Sequence, residues 1–179
     1  HHHLTCQNSR NVCAQFRDEI NSIFQKTGLL YSLNTDLQVE RIVENSPLTP
    51  EVEATIATLK EPGMVELLQE AILLHKSPYP TDIRDATEKI WDAFERLKTY
   101  YTTLNKRDSA AKIVNDMSGG QDDYITLFDT EFNALTKIGN NFRIRHHETD
   151  KIEITDIRYY DYFFNRCLSL IVLAIQYLQ

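Results

Sequence analysis

A mostly α-helical bundle with a small β-hairpin near the N-terminus is the fold class this sequence predicts. Three observations predict it. Apolar residues recur at spacings of three and four through most of the 179 residues. Proline, glycine and capping residues cut that pattern into segments joined by short loops, as in a bundle. Only one stretch, residues 29–43, drops to a period near two.

The first segment places Val12, Phe16, Ile20, Ile23 and Phe24 on one helical face, and Gly28 ends it. Leu29 to Leu33 and Leu37 to Val43 then flank the polar turn Asn34-Thr35-Asp36, which predicts the hairpin. A short helix through this stretch is the competing reading. Ser46-Pro47 and Thr49-Pro50 break the chain. Thr49 caps the next helix, with Pro50 at its first position and Glu51 and Glu53 near the positive end of its dipole. Val52, Ile56 and Leu59 form its apolar stripe. Pro62-Gly63 interrupts, and Val65, Leu68, Ala71, Ile72 and His75 share a face of the following helix, which ends before Pro78.

The longest helix is capped by Thr81 or Asp82 and carries Ile83, Ala86, Ile90, Ala93, Phe94, Leu97, Tyr101 and Leu104 inward. Trp91 and Tyr100-Tyr101 sit on it as packing residues. A shorter segment, Ser109 to Met117, precedes the turn Gly119-Gly120. Asp122 or Asp123 caps a helix with Ile125, Phe128, Phe132, Leu135 and Ile138 inward. Ile152 and Ile154 lie in an extended or irregular piece. Thr155 or Asp156 caps the last helix, whose inward face is Tyr160, Phe163, Cys167, Leu170, Ile171, Ala174 and Tyr177 or Leu178.

His1 to His3 resemble the remnant of a purification tag and are set aside. Residues 4–47 read as an N-terminal helix plus hairpin extension and 48–179 as the bundle. With 42% hydrophobic and 25% charged residues, the chain buries a core. Its formal net charge of -7 argues against broad, nonspecific nucleic-acid binding, while leaving room for a local basic site. Cys6, Cys13 and Cys167 have no CxxC spacing and read as free thiols in a reducing, cytoplasmic setting. The apolar stretch Phe163 to Leu178 is interrupted by polar residues and falls short of the roughly 20 residues of a membrane span. No phosphate loop, dinucleotide fingerprint, GxSxG, HExxH or calcium loop is present. Neither a cofactor nor a metal is expected. His75 stands alone among apolar neighbours and reads as a structural or surface residue.

The run Asn140-Asn141-Phe142-Arg143-Ile144-Arg145-His146-His147-Glu148 is different. It gathers two arginines, two asparagines and two of the three histidines beyond the tag. Were the preceding helix to continue through it, Arg143 and His147 would share a face, as would Asn141 and Arg145. Such a cluster suits RNA phosphodiester cleavage. A neutral histidine takes the 2′-OH proton, an arginine holds the phosphate, and an asparagine positions the ribose or the imidazole. The same residues also suit a helix C-terminal cap, or pairing with Glu148, Asp150 or Asp161.

At this run the sequence resembles the HEPN superfamily of α-helical proteins, many of them metal-independent RNases of toxin–antitoxin and abortive-infection systems. Tyr159-Tyr160-Asp161-Tyr162-Phe163-Phe164-Asn165-Arg166 is similar to the family's final helix, and Asp85 to Lys98 to its long core helix. The likeness covers about residues 80–179, and the front half more weakly. The family motif is an arginine, four to six residues, then a histidine. Here Arg143 and His147 have three residues between them, Arg145 adjoins His146, and Asn141 with His146 fits the spacing if asparagine replaces arginine. The resemblance implies a phage-defence or toxin-type domain with His146 or His147 as base or acid, Arg143 and Arg145 on phosphate, and Asn141 orienting. It further implies RNA as substrate, a homodimer whose interface completes the cleft, and an antitoxin or effector protein as a further partner. A non-catalytic dimerisation or nucleotide- or partner-sensing module is the alternative it allows, and a plain helical interaction domain is a third.

Overall fold

The computed structural model describes residues 6–42, 49–145 and 148–178, and only the backbone of residues 6–10. Within these residues lie seven helices and one hairpin: α1 (Cys6–Thr27), β1 (Tyr31–Leu33), β2 (Val39–Arg41), α2 (Pro50–Ala57), α3 (Pro62–His75), α4 (Pro80–Leu97), α5 (Lys106–Ser118), α6 (Asp122–Asn141) and α7 (Ile157–Ile175). The mostly α class with an N-terminal hairpin holds. The Ser46-Pro47 break lies outside the described residues.

The helix ends follow local chemistry. Gly28 takes φ +70°, and the Leu29 N–H reaches back to the Phe24 carbonyl at 3.0 Å, which closes α1. Thr49 accepts from the Val52 N–H and Pro50 opens α2. Glu61 accepts from the Met64 N–H, so Pro62-Gly63 starts α3 where an interruption is expected from sequence. Prolines need no N–H partner in a first turn, which also makes Pro80, not Thr81 or Asp82, the opening of α4 behind Tyr79. Gln121 precedes α6, with Asp122 and Asp123 inside its first turn.

Helix α4 stops at Leu97, short of the expected Tyr101 and Leu104. The β-branched Thr99, Thr102 and Thr103 favour helix poorly. The Ser109 hydroxyl accepts the Tyr101 N–H at 3.1 Å, replacing a helical partner. Tyr100 and Tyr101 therefore pack from a loop.

The core forms where α4 lies between α3 and α7, with α2 against α7 and α5 against α6. Trp91, Phe94, Leu97, Leu68, Ile90, Phe164 and Leu168 are fully enclosed. Gly139 lets the Trp91 indole of α4 lie directly against α6, since a Cβ there would collide with it. Cys13 and Cys167 are free thiols. No described helix is long and apolar enough to cross a membrane.

Helix α1 leans on β1, with Asn21 bonding both the N–H and the carbonyl of Leu33. Val12, Phe16 and Ile23 stay about half exposed, because the bundle does not reach them. The hairpin in turn is fastened to the bundle through Arg41. Its backbone N–H bonds the Lys76 carbonyl at 2.7 Å and its guanidinium grips Asp161 of α7.

Candidate functional site

Helix α6 ends at Asn141, and Phe142 adopts extended backbone. Residues 142–145 are thus non-helical, so the helical alignment of Asn141 with Arg145 does not form, and that of Arg143 with His147 involves a residue outside the described ones. Two features pin the start of this loop. The Arg143 N–H donates to the Ile152 carbonyl at 2.8 Å and the Ile152 N–H to the Asn141 carbonyl at 2.9 Å, a parallel bridge. Ile144 is 2% exposed and plugs the core. Alternation then turns Arg143 and Arg145 away from the interior.

Arg145 reaches α4, where its guanidinium meets Asp92 at 2.7 Å, and it lies 3.9 Å from Glu148. The hydrogen bond it donates to Asp92 is the main cause that raises its pKa. Its carbonyl accepts the Glu148 N–H at 3.2 Å. The pairing foreseen with Glu148 is therefore the weaker of two, and Asp92 is the stronger partner that sequence reasoning missed. One Glu148 oxygen, Oε2, is buried without a partner among the described residues.

Arg143 is half-buried and Asn141 exposed. Arg143 lies within electrostatic reach of the Tyr160 phenol. So does Arg84, from the first turns of α4, whose guanidinium sits 5.8 Å from the Tyr160 ring centroid. Burial raises the Tyr160 pKa and Glu153 adds to the rise, while the two arginines pull against it. Arg84 and Tyr160 thus join the site from distant parts of the sequence. His146 and His147 lie outside the described residues.

Asp161 does not serve this loop. It accepts two bonds from Arg41 and lies 3.1 Å from His75 Nε2. His75 is 1% exposed and stacks on Phe164 with ring centroids 3.8 Å apart. Burial, together with the Arg41 charge, lowers the His75 pKa more than Asp161 raises it. A neutral His75 donating to Asp161 is a structural joint, in keeping with the reading of that histidine from sequence.

Comparison of the chain with protein-family models, with curated proteins and with solved structures gives no significant match.

Proposed function

We propose that this chain is a HEPN-like module of the phage-defence or toxin type that cleaves RNA phosphodiester bonds without a metal at the α6–α7 loop. The observation that carries this reading is Arg84 of α4 seated 5.8 Å from the Tyr160 ring, with the charge of Arg143, at the head of that loop, acting on the same phenol. In an acidic chain, two arginines acting at one place, against the carboxylate of Glu153, leave a local positive charge that attracts phosphate. Arg143 and Arg84 hold the phosphate and oppose the charge that builds on its oxygens. His146 or His147 removes the 2′-OH proton and the other protonates the leaving 5′-oxygen. Asn141, exposed at the end of α6, orients the ribose or an imidazole. Arg145, already paired with Asp92, holds the loop in place and adds to the field at the site. A homodimer would bring two such loops into one cleft.

A second reading is favoured by the same Arg145–Asp92 pair and by the half-exposed apolar residues of α1. In it the loop is a structural fastening and the module dimerises, or senses a nucleotide or a protein partner such as an antitoxin, without cleaving RNA.

The test is cleavage of total RNA and a transfer-RNA pool in EDTA by wild type and by the His146→Ala/His147→Ala double variant. Cleavage that survives EDTA and disappears in the variant supports the nuclease. Equal cleavage by both, or none by a folded wild type, rejects it and leaves the second reading.

A further inference from the structure

A second basic place lies away from the α6–α7 loop, at the corner where the end of α4 meets α5 and α6. A cavity of about 660 Å³ opens there. That size falls within the range of small-molecule sites. Its floor is apolar, with Phe132 4% exposed. Its walls carry Lys98, Lys106 and Arg107 against a single carboxylate, Asp129.

Lys98 is the built part of this site. Its side chain is 7% exposed, and its ammonium bonds Glu95 at 2.5 Å and Thr136 Oγ1 at 3.1 Å above the Phe94 ring. An ammonium has three donors, so a third remains beyond these two bonds. Lysine is rarely this enclosed unless paired, and Glu95 accounts for the pairing. The other Glu95 oxygen takes Lys106 at 2.6 Å. Glu95 and Asp129 together leave one of the three cations uncompensated, in a chain whose net charge is -7.

We propose that this cavity binds a phosphomonoester carried on a hydroxylated carbon skeleton. A monoanion would offer these cations no more than Glu95 already does. A phosphomonoester carries nearly two charges at neutral pH and three acceptor oxygens. It can bridge Arg107 and Lys106 while Glu95 keeps Lys98 in position. Asn133, whose amide nitrogen donates to Asp129, and Thr136, whose hydroxyl donates to the Phe132 carbonyl and accepts from Lys98, line the same cavity and can accept from hydroxyl groups through the oxygen lone pairs that remain, and the Phe132 floor takes the carbon skeleton. The site is separate from the proposed RNA chemistry and does not rest on it.

Calorimetric titration of the whole chain tests this, with ribose 5-phosphate, ribose, and a trinucleotide with and without a 5′-phosphate. Arg107→Glu and Lys106→Met are titrated alongside, both at exposed positions and checked for folding by circular dichroism. Saturable binding of a phosphorylated probe, none of its unphosphorylated counterpart, and weakening of roughly tenfold or more in Arg107→Glu are expected, since charge-assisted contacts of this kind carry at least that much. Binding of the sugar phosphate alone identifies a free small molecule as the ligand. Binding of the 5′-phosphorylated trinucleotide as well extends the same chemistry to a nucleic-acid end. No saturable binding of either phosphorylated probe, or unchanged affinity in Arg107→Glu, overturns the proposal. The His146→Ala/His147→Ala variant binds as wild type does, so failure here and failure of the RNase reading are told apart.

Discussion

Arg41 and Asp161, 120 residues apart, meet fork to fork, with Nη1 to Oδ2 at 2.8 Å and Nη2 to Oδ1 at 2.6 Å. The same Arg41 also donates to the His75 carbonyl at 3.2 Å. One guanidinium thus joins the hairpin, the end of α3 and the start of α7. Both side chains are at least four-fifths buried, so leaving either charge alone is costly. Arg41→Ala is expected to lower stability by about 3 kcal/mol, toward the low end for breaking a buried pair. Asp161→Ala should act similarly, and the double variant should fall well short of the sum. Urea unfolding of the four proteins measures this. Additive losses would mean that the pair does not fasten the hairpin.

Acid should loosen the same joint in two stages. In the folded chain burial holds the His75 pKa below the ordinary 6.5. The unfolded chain therefore takes up a proton that the folded chain resists, and stability falls as pH drops through 6.5. Burial pushes the Asp161 pKa up, but the bonds from Arg41 and His75 outweigh it and hold the carboxyl at about 2, against 3.8 unfolded. Its contribution, about 2 kcal/mol, is full above pH 3.8 and is lost as pH falls toward 2. Urea midpoints followed from pH 8 to pH 3 should show the first loss in wild type and a smaller one in His75→Gln.

Gly139→Ala should destabilise by about 1–3 kcal/mol, the usual effect of overpacking a tight contact. The added methyl meets the Trp91 indole, which is itself 1% exposed and cannot step aside. Trp91 fluorescence and thermal unfolding report it together. An unshifted melting temperature would show that α6 moves off α4 without penalty.

Local signals were legible in the sequence and long-range pairings were not. Thr49-Pro50, Gly28, Gly119 and Asp156 mark helix ends because each acts on backbone groups within a few residues. The length of α4 was misread because Tyr101 and Leu104 continue its apolar period, although a hydroxyl from Ser109 claims the Tyr101 N–H. For α1 the periodicity was right, yet it does not say what covers the apolar face, and Val12, Phe16 and Ile23 remain half exposed. The Arg/His run stood out as composition. Its partners Asp92, Arg84 and Tyr160 did not, since a bundle brings them to the loop only after folding. Closeness in sequence offers Asp161 to the loop, and the turn of α7 gives it to Arg41 instead.

Arg143 and Arg145 should separate in their effects under the RNase reading. Arg145 is engaged by Asp92, so Arg145→Ala and Asp92→Ala both release the loop from α4. Each should lower stability by up to about 1 kcal/mol, the range for a partly exposed pair, with no further loss in the double variant. Arg143 is half-buried and engaged as well, so Arg143→Ala should also lower stability, by about 1 kcal/mol. It should reduce EDTA-resistant RNA cleavage roughly a hundredfold, as loss of a transition-state charge contact does. Cleavage kinetics beside thermal unfolding of wild type, the three single variants and the double variant decide it. Full activity in Arg143→Ala would remove that residue from the chemistry, and loss of activity in Arg145→Ala but not in Asp92→Ala would move the phosphate contact to Arg145.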